Sequence, residues 1–329
     1  MTKNNIASLF SGAGGLDLGF ELAGFNVVWA NEFDKKIWAT HQENFPNCIL
    51  DKGSIVQVEP DAIPDIIGLI GGPPCQSWSE AGSRKGIDDE RGQLFYEYIR
   101  LLKAKKPLFF LAENVSGILH KTHQQAFQNI LKMFEECGYN ISFKLLNCND
   151  YDVPQDRLRV FIVGILKTYK NEYFQFPAEQ EEKLTLKDAI FDIKDSAVPA
   201  LDGNKKNKSL CTPNHEYMTG GFSSIFMSRN RVRGWDQPSF TIQASGRHAP
   251  LHPNAPKMVK HEVNRFEFVS GKEDLYRRMS IRECARVQTF PDEFIFTYDS
   301  LADGYKMVGN AVPVMMARKL AEEIKKQFF

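Results

Sequence analysis

Short apolar runs alternate with longer amphipathic stretches over residues 6–165. The runs are four to six residues long and almost continuously apolar, which predicts strands buried on both faces. The stretches between them carry apolar residues at helical spacing. This alternation predicts an α/β fold with a doubly wound, mostly parallel sheet covered by helices on both faces. The predicted strands are Ile6–Phe10, Val27–Ala30, Ile66–Ile70, Leu108–Ala112, Ser142–Leu146 and Val160–Ile165, and the clearest helices are Leu94–Lys103 and Gln124–Cys137.

The pattern changes after residue 165. Residues 166–200 are acidic and polar, and residues 200–275 are rich in Pro, Gly, Asn, Ser and Arg with little periodicity. Helical periodicity returns at Ile281–Gln288 and again near Pro313, where a proline suits the first position of a helix. We therefore predict three parts: a larger domain over 1–176, a smaller, irregular domain with a hinge over 177–300, and a C-terminal segment over 301–329 that returns to the first domain.

Composition places the chain among ordinary globular proteins. It has 329 residues, 43% of them hydrophobic and 25% charged. Residues 1–5 lead straight into a strand with no signal-peptide pattern, and no apolar stretch reaches the roughly 18 residues needed to span a membrane. Six cysteines lack any C-x-x-C spacing, which argues against disulfides and against a metal site. We expect a cytoplasmic protein without a bound metal.

A net charge of zero conceals one basic segment. Between residues 204 and 260 there are five lysines and four arginines but only two acidic residues, an excess of seven positive charges. The lysines are typical of a solvated surface. The arginines stand among aromatic and turn residues instead, which indicates a local contact with an acidic partner.

A glycine-rich turn, Ser11–Gly19, follows the first predicted strand and precedes a helix. Bare backbone amides in such a turn can approach a ligand, although a purely structural turn explains this feature alone equally well. Glu32 lies 18 residues beyond Gly14, near the spacing at which an acid meets ribose hydroxyls in doubly wound folds. Asp17 stands where a dinucleotide motif has its third glycine. A carboxylate there would repel pyrophosphate, so we expect S-adenosylmethionine rather than a dinucleotide.

A second turn fixes a cysteine. In Gly71–Ser77 two glycines and two prolines precede Cys75, directly after the strand Ile66–Ile70. The prolines set the backbone and remove donors, so the thiol is presented with little conformational freedom.

Together these features resemble the DNA cytosine-5 methyltransferase family over essentially the whole chain. The matching segments follow one another in the family's order. They are Ser8–Gly19, Asn31–Asp34, Gly71–Ser79, Glu113–Val115, Gln155–Arg159, Arg282–Pro291 and Gly304–Val314. The resemblance implies the class I fold of S-adenosylmethionine-dependent methyltransferases with a smaller DNA-recognition domain, and double-stranded DNA as the substrate.

The resemblance implies four catalytic residues. Cys75 would attack carbon 6 of cytosine, which makes carbon 5 nucleophilic. Glu113 would hold N3 and the exocyclic amine, Arg157 would contact O2, and Arg159 would orient the acid. A helix cap is the structural alternative for Glu113, and sheet-edge salt bridges are the alternative for the two arginines. No side chain identifies itself as the base for the carbon 5 proton, and a water near Asn114 or the Pro74 carbonyl is one candidate.

The resemblance also implies the cofactor site. Ser54 departs from the family pattern, because Gly53–Ile55 falls where the family has Gly-Asp-Ile and that aspartate binds the adenine amino group. A neutral hydroxyl accepts a weaker hydrogen bond, which predicts lower cofactor affinity. The implied cofactor-binding residues are Phe10, Gly12, Gly14, Gly15, Glu32, Phe33, Ser54, Pro74, Leu94, Asn310 and Val312.

DNA contacts are expected from two places. The polar, glycine-containing segment Gln76–Gln93, including Ser79, resembles the family's mobile loop that closes over DNA after the base is flipped out. The segment Ser228–Trp235, with Ala244–Arg247, resembles the HaeIII-type members, whose target is GGCC. Base readout is predicted for the arginines best suited to guanine, and a phosphate contact for a fourth. The three base readers are Arg229, Arg231 and Arg247, and the phosphate-binding arginine is Arg233.

Three other readings stay open at this stage. A DNA-binding protein without catalysis would keep the basic segment, but the intact Cys75, Glu113 and Arg157 argue against it. An NAD-dependent oxidoreductase is disfavoured by Asp17. An RNA cytosine methyltransferase is the closest enzymatic rival, and the arginine cluster favours DNA. We expect a monomer in a bacterial restriction–modification setting, since a single smaller domain can recognise the site and methylate one strand at a time.

Overall fold

The computed structural model describes residues 4–74, 90–207 and 210–329. One seven-stranded sheet dominates the fold, in the order β3-β2-β1-β4-β5-β7-β6. Every strand is parallel to its neighbours except β7, which runs antiparallel to β5 and β6. The strands are β1 Asn5–Leu9, β2 Asn26–Asn31, β3 Ile49–Asp51, β4 Gly68–Gly71, β5 Phe109–Val115, β6 Tyr139–Asn147 and β7 Leu158–Leu166.

The predicted mostly parallel sheet is confirmed, and all six predicted strands are present. The exception at β7 follows from its connection to β6, because residues 148–157 contain no crossover helix that could return the chain to the same end of the sheet. The edge strand β3 was not predicted. It has only three residues, and its Ile49 is exposed, so it lacks an apolar run.

Helices cover both faces of the sheet. Helices α1 and α8 pack together on one face, so closely that a Cβ on Gly19 would lie 2.4 Å from the Ala317 Cβ. Helices α3 and α4 cover the other face through residues such as Tyr98 and Phe134. In the described residues the α-helices are α1 Gly15–Leu22, α2 Trp38–Asn44, α3 Glu90–Lys105, α4 Gln124–Glu136, α5 Leu186–Ile190, α6 Ile281–Val287, α7 Leu301–Asn310 and α8 Val314–Phe328.

The chain between β7 and α6 contains little regular structure, as its composition predicts. Its described residues form two short strand pairs and a small apolar cluster of their own that includes Phe226, Leu251 and Tyr276. The Arg278 guanidinium donates to the carbonyls of Gly220 and Gly221, so buried cations replace part of the missing secondary structure. The pairs are β8 Val198–Pro199 with β9 Glu216–Tyr217, and β10 Val259–Glu262 with β11 Arg265–Glu267.

The C-terminal segment returns to the sheet, because α8 packs on α1. Pro313 is the residue before α8 and has an extended ψ of 133°, so the helix begins one residue later than the proline rule predicts. The division into parts at 176 and 300 stays a prediction.

Candidate active site

Parallel strands bring several predicted residues to one edge of the sheet. Strands β1, β2, β4 and β5 all end there. The glycine-rich turn follows β1, Glu32 follows β2, and the Gly72–Pro74 turn follows β4. Glu113 lies near the end of β5 itself. This is the edge at which open α/β sheets bind ligands, because the loops after parallel strands converge on it.

The glycine-rich turn needs its glycines for two different reasons. Gly12 has φ +56°, and a Cβ placed there would meet nothing within 4 Å, so its backbone borders open space. Gly14 also has positive φ, at +90°. Gly15 is instead required for packing, since a Cβ there would lie 2.3 Å from the Val312 carbonyl oxygen. The turn thus faces open space at Gly12 and packs tightly against Val312 at Gly15.

Glu32 is fixed beside this turn. Its Oε2 accepts a hydrogen bond from the Gly12 amide at 2.9 Å, and its Oε1 accepts one from the Asp34 amide at 2.7 Å. Burial raises the pKa of Glu32, and these two amides oppose the effect. The adjacent Phe33 side chain is 73% exposed at the edge of the sheet. A carboxylate and an open aromatic ring suit the ribose and the adenine of a nucleoside.

Ser11 adds a further sign that a ligand completes this site. Its Oγ is buried and has no hydrogen-bond partner within the described part of the chain. An orphaned hydroxyl costs free energy unless something binds it, and here it stands next to Gly12.

The remaining predicted cofactor residues differ in burial and packing. Phe10 and Leu94 pack against the same apolar cluster. Ser54 and Pro74 are half-buried, Asn310 is exposed at the end of α7, and Val312 is buried under Gly15.

Asp17 does not face the ligand edge, and the sequence argument built on it is wrong. Its side chain is fully buried, where its Oδ1 accepts from the Ser8 hydroxyl at 2.5 Å and its Oδ2 lies 3.1 Å from His41 Nε2. Helix α1 turns this position towards β1 and α2. A carboxylate so enclosed cannot select among cofactors directly.

Cys75 and Ser79 lie outside the described residues. The turn leading to Cys75 is described and is attached to β5, because Asn114 Nδ2 donates to the Pro73 carbonyl at 3.0 Å. A Cβ on Gly72 would lie 3.2 Å from Glu113 Oε2, so the turn passes directly over that carboxylate. The sequence motif with the cysteine and the one with the acid are therefore neighbours in space.

Glu113 and Arg159 form an ion pair at the end of the sheet. Arg159 Nε lies 2.9 Å from Glu113 Oε1, and the two side chains are only 14% and 13% exposed. Burial raises the pKa of Glu113, while the Arg159 and Arg157 cations act against that rise. Because Glu113 lies within strand β5, the helix-cap alternative is excluded. The geometry fits a carboxyl group held ready to donate a proton.

Arg157 has a different position from the one predicted. Its side chain is 1% exposed, and its two terminal nitrogens donate to the carbonyls of Ile242, Gly309 and Ala311, each at 3.0 Å. Its Nε is enclosed and has no hydrogen-bond partner among the described residues. The structure does not place Arg157 for the expected contact with a substrate oxygen, because both terminal nitrogens of its guanidinium are engaged with backbone carbonyls of distant segments. Arg157 ties three chain segments together.

A cleft extends from Glu113 and Arg159 towards the irregular region. One cavity of about 390 Å³ includes Arg159 in its lining, and a second of about 390 Å³ includes Arg229. The two cavities share Asp156 and Thr241. The Thr241 hydroxyl donates to the Asp156 carbonyl at 2.6 Å, which fastens the irregular region to the start of β7.

The four predicted DNA-binding arginines divide into two exposed and two engaged side chains. Arg229 and Arg247 are exposed at or beside the cleft. Arg231 is only 7% exposed, and its guanidinium donates to the carbonyls of Phe226 and Ile225, so its assignment as a base reader is corrected. Arg233 is paired with Asp156 rather than free for a phosphate.

Sequence reasoning missed two polar residues, Asp156, which lines the cleft, and Gln288, which is buried and links distant segments. Asp156 was read only as part of the Gln155–Arg159 match. Gln288 links Gln155 to the turn after α7, since its Oε1 accepts from Gln155 Nε2 at 2.7 Å and its Nε2 donates to the Val308 and Ala311 carbonyls. Its membership of the Arg282–Pro291 match was the available signal.

The described residues lack two further features. They contain no group of three or more His, Cys, Asp or Glu side chains placed to hold a metal ion. No helix in the same ranges is both long enough and apolar enough to span a membrane.

Comparison with known proteins gives consistent findings. The sequence matches the family described as C-5 cytosine-specific DNA methylase over residues 4–326. It is 58% identical over 323 residues to Type II methyltransferase M.FnuDI of Fusobacterium nucleatum, covering 97% of this chain and 94% of the relative. It is 56% identical over 326 residues to Type II methyltransferase M.NgoPII of Neisseria gonorrhoeae, covering 98% and 95%. Its fold is similar to that of Entamoeba histolytica methyltransferase EhMeth, with a TM-score of 0.70 at 18% identity over 99% of both chains.

Proposed function

The chain belongs to the C-5 cytosine-specific DNA methylase family, and from this premise we propose the details of its reaction. It is a Type II methyltransferase of a restriction–modification system, as the names of its bacterial relatives suggest. It transfers a methyl group from S-adenosylmethionine to carbon 5 of a flipped cytosine in a short duplex site, GGCC. The transfer proceeds through a covalent adduct with Cys75.

The observation that carries this proposal is the Glu113–Arg159 pair beneath the turn that leads to Cys75. Addition of the Cys75 thiolate to carbon 6 pushes electron density towards N3, and a protonated Glu113 relieves it by donating its proton there. Arg159 holds the carboxyl group in place and is the nearer of the two arginines to the open cleft. Carbon 5 of the resulting enamine would then take up the methyl group, with the demethylated cofactor as the leaving group. A base removes the carbon 5 proton, the thiolate leaves carbon 6, and N3 returns its proton to Glu113.

The cofactor site is assigned to the edge formed by the glycine-rich turn and Glu32. When bound there, S-adenosylmethionine supplies an electrophilic methyl group. Glu32 accepts hydrogen bonds from the ribose hydroxyls, Phe33 covers the adenine, and the open backbone at Gly12 admits the rest of the ligand. The unpartnered Ser11 hydroxyl supports this fit. Replacing Ser54 with Asp should tighten binding in calorimetry if that residue meets the adenine amino group.

DNA is placed along the cleft between β7 and the irregular region. Arg229 and Arg247 are available to read guanine, which suits a GGCC site. Residues 1–176 form the catalytic and cofactor domain in this proposal, 177–300 the recognition domain with its hinge, and 301–329 the returning segment. The protein acts as a monomer on DNA in the bacterial cytoplasm.

The test measures transfer of labelled methyl groups to duplexes with and without GGCC and to tRNA. We expect transfer to the GGCC duplex alone, and loss of transfer in Cys75→Ser with DNA binding retained. A GGCC duplex with 5-fluorocytosine at the target should trap an adduct that survives denaturation, because fluorine blocks the elimination. More than a few per cent of normal turnover in Cys75→Ser would refute the covalent route, and preferential transfer to tRNA would refute the substrate.

A further inference from the structure

Asp156 occupies the junction of the two cavities in the cleft. Both cavities include it in their lining, and it is the one acidic residue among the described residues that line them. Its side chain remains 42% exposed although it takes part in an ion pair. A carboxylate in this place is unexpected on a surface that meets DNA, because it repels the phosphate backbone.

Two side chains hold the Asp156 carboxylate in a fixed orientation. Arg233 lies 3.0 Å from its Oδ2, and Asn147 Nδ2 donates to its Oδ1 at 3.3 Å. Arg233 is itself held, because its guanidinium stacks over the Phe240 ring at 4.3 Å. Asn147 is fixed too, since its Oδ1 accepts from the Arg157 amide at 2.9 Å. Each carboxylate oxygen keeps an accepting lone pair, so the group is preorganised for a further donor.

The donors that a duplex offers at base edges are exocyclic amino groups. Cytosine N4 and adenine N6 lie in the major groove, and guanine N2 lies in the minor groove. A fixed carboxylate accepts a hydrogen bond from such an amino group, and it repels a base that presents a carbonyl oxygen in the same place.

We infer that Asp156 is a specificity-determining residue that accepts a hydrogen bond from the amino group of an unflipped base beside the target cytosine. This inference rests on the proposed function. It assigns base discrimination to the start of β7, next to the Glu113–Arg159 pair, in addition to the arginines farther along the cleft. In a GGCC site the donor is either a guanine N2 or the N4 of a cytosine that is not methylated.

The experiment removes one amino group at a time from the DNA. Inosine replaces each guanine in turn and lacks N2, whereas 2-pyrimidinone replaces each non-target cytosine and lacks N4. The second-order rate constant of methyl transfer, kcat/KM, is measured on every duplex for the wild type, Asp156→Ala and Arg233→Met. Asp150→Ala is the matched control, because Asp150 also forms an ion pair, with Lys183 at 2.7 Å, but does not line the cleft.

We expect the wild type to lose about tenfold or more on one analogue, the ordinary effect of deleting a hydrogen bond to a charged group. Asp156→Ala should be slower on the unmodified duplex and lose nothing further on that analogue. Asp150→Ala should keep the wild-type discrimination, whereas Arg233→Met, which removes one of the two groups that orient the carboxylate, should reduce it without abolishing it. An inosine effect assigns guanine N2, and a 2-pyrimidinone effect assigns cytosine N4.

Two results would overturn the inference. Either the wild type is indifferent to every analogue, or Asp156→Ala retains the full analogue effect, in which case the residue only fastens Arg233. Thermal unfolding of each variant checks that the fold is kept, and Arg233→Met reports on loss of the ion pair alone. Failure of the proposed function is distinguishable, because the wild type would then not methylate the unmodified GGCC duplex at all.

Discussion

Replacing Arg157 and Arg159 separately by Met should have different effects, because the first variant chiefly loses stability and the second chiefly loses catalytic activity. Arg157→Met removes the donor shared by the carbonyls of Ile242, Gly309 and Ala311, all of them buried. Ala311 keeps a second partner in Gln288, so two carbonyl oxygens lose the only side-chain donor the structure gives them. Each unsatisfied buried group costs about 1–3 kcal/mol, which predicts a total loss of about 3 kcal/mol or more. That is a large part of an ordinary folding free energy.

Arg159→Met should behave in the opposite way. It breaks an ion pair whose side chains are only 14% and 13% exposed, but the Glu113 left behind can take up a proton, so the free energy of unfolding should fall by about 1–2 kcal/mol, less than in Arg157→Met. Turnover should fall by about 10²–10⁴-fold, because Glu113 loses the group that orients it. Arg159 also lowers the pKa of Glu113. Its removal should therefore move the pH at which Glu113 loses its proton upwards, and the pH profile of the residual activity should show that shift.

Two assays check this division: urea unfolding, and single-turnover methyl transfer at a temperature where both variants are folded. Arg157→Met should unfold at a much lower urea concentration and, while folded, retain a substantial part of its transfer rate. The reasoning fails if Arg157→Met keeps the normal unfolding free energy within about 1 kcal/mol and still loses turnover. Arg157 would then contact the substrate after a rearrangement of the cleft.

Three further predictions concern other parts of the structure. Glu32→Ala should weaken S-adenosylmethionine binding by about 1.5–3 kcal/mol in calorimetry, because a charged hydrogen-bond acceptor is lost. An unchanged Kd would show that Glu32 does not bind the ribose. Arg229→Ala and Arg247→Ala should each weaken the binding free energy for the GGCC duplex by about 1–3 kcal/mol and relax preference at one base pair, whereas Arg231→Ala should chiefly lower thermal stability. Equal losses of affinity for GGCC and scrambled duplexes would contradict the readout role. Burial lowers the pKa of His252 from 6.5 to about 4, so the unfolded chain takes up a proton on this histidine before the folded chain does. The free energy of unfolding should therefore fall by about 3 kcal/mol as the pH falls from 6.5 to about 4. His252→Gln should flatten that part of the stability–pH curve, and an unchanged slope would show that other groups cause it.

Much of the fold and part of the site could be predicted from the sequence, because those features depend on local rules. Buried strands are nearly continuous apolar runs, and five of the seven strands, β1, β2, β4, β5 and β7, show that pattern along most of their length. Gly12 and Gly14 follow a strand directly, and both have the positive φ that glycine permits. Glu32 and Glu113 follow or end parallel strands, so the rule that such strand ends share one edge brings them together.

The direction in which each polar side chain points was decided only by the tertiary structure. Arg157 and Arg159 are two residues apart, a spacing that predicts one shared strand face, so the sequence does not show that only Arg159 lines the cleft. Packing of the turn after α7 encloses the first arginine and leaves the second beside Glu113. Asp17 and Arg231 became internal groups for the same reason. The free energy of a buried charge depends on the donors and carbonyls that distant segments bring to it, and residue spacing carries no record of those segments.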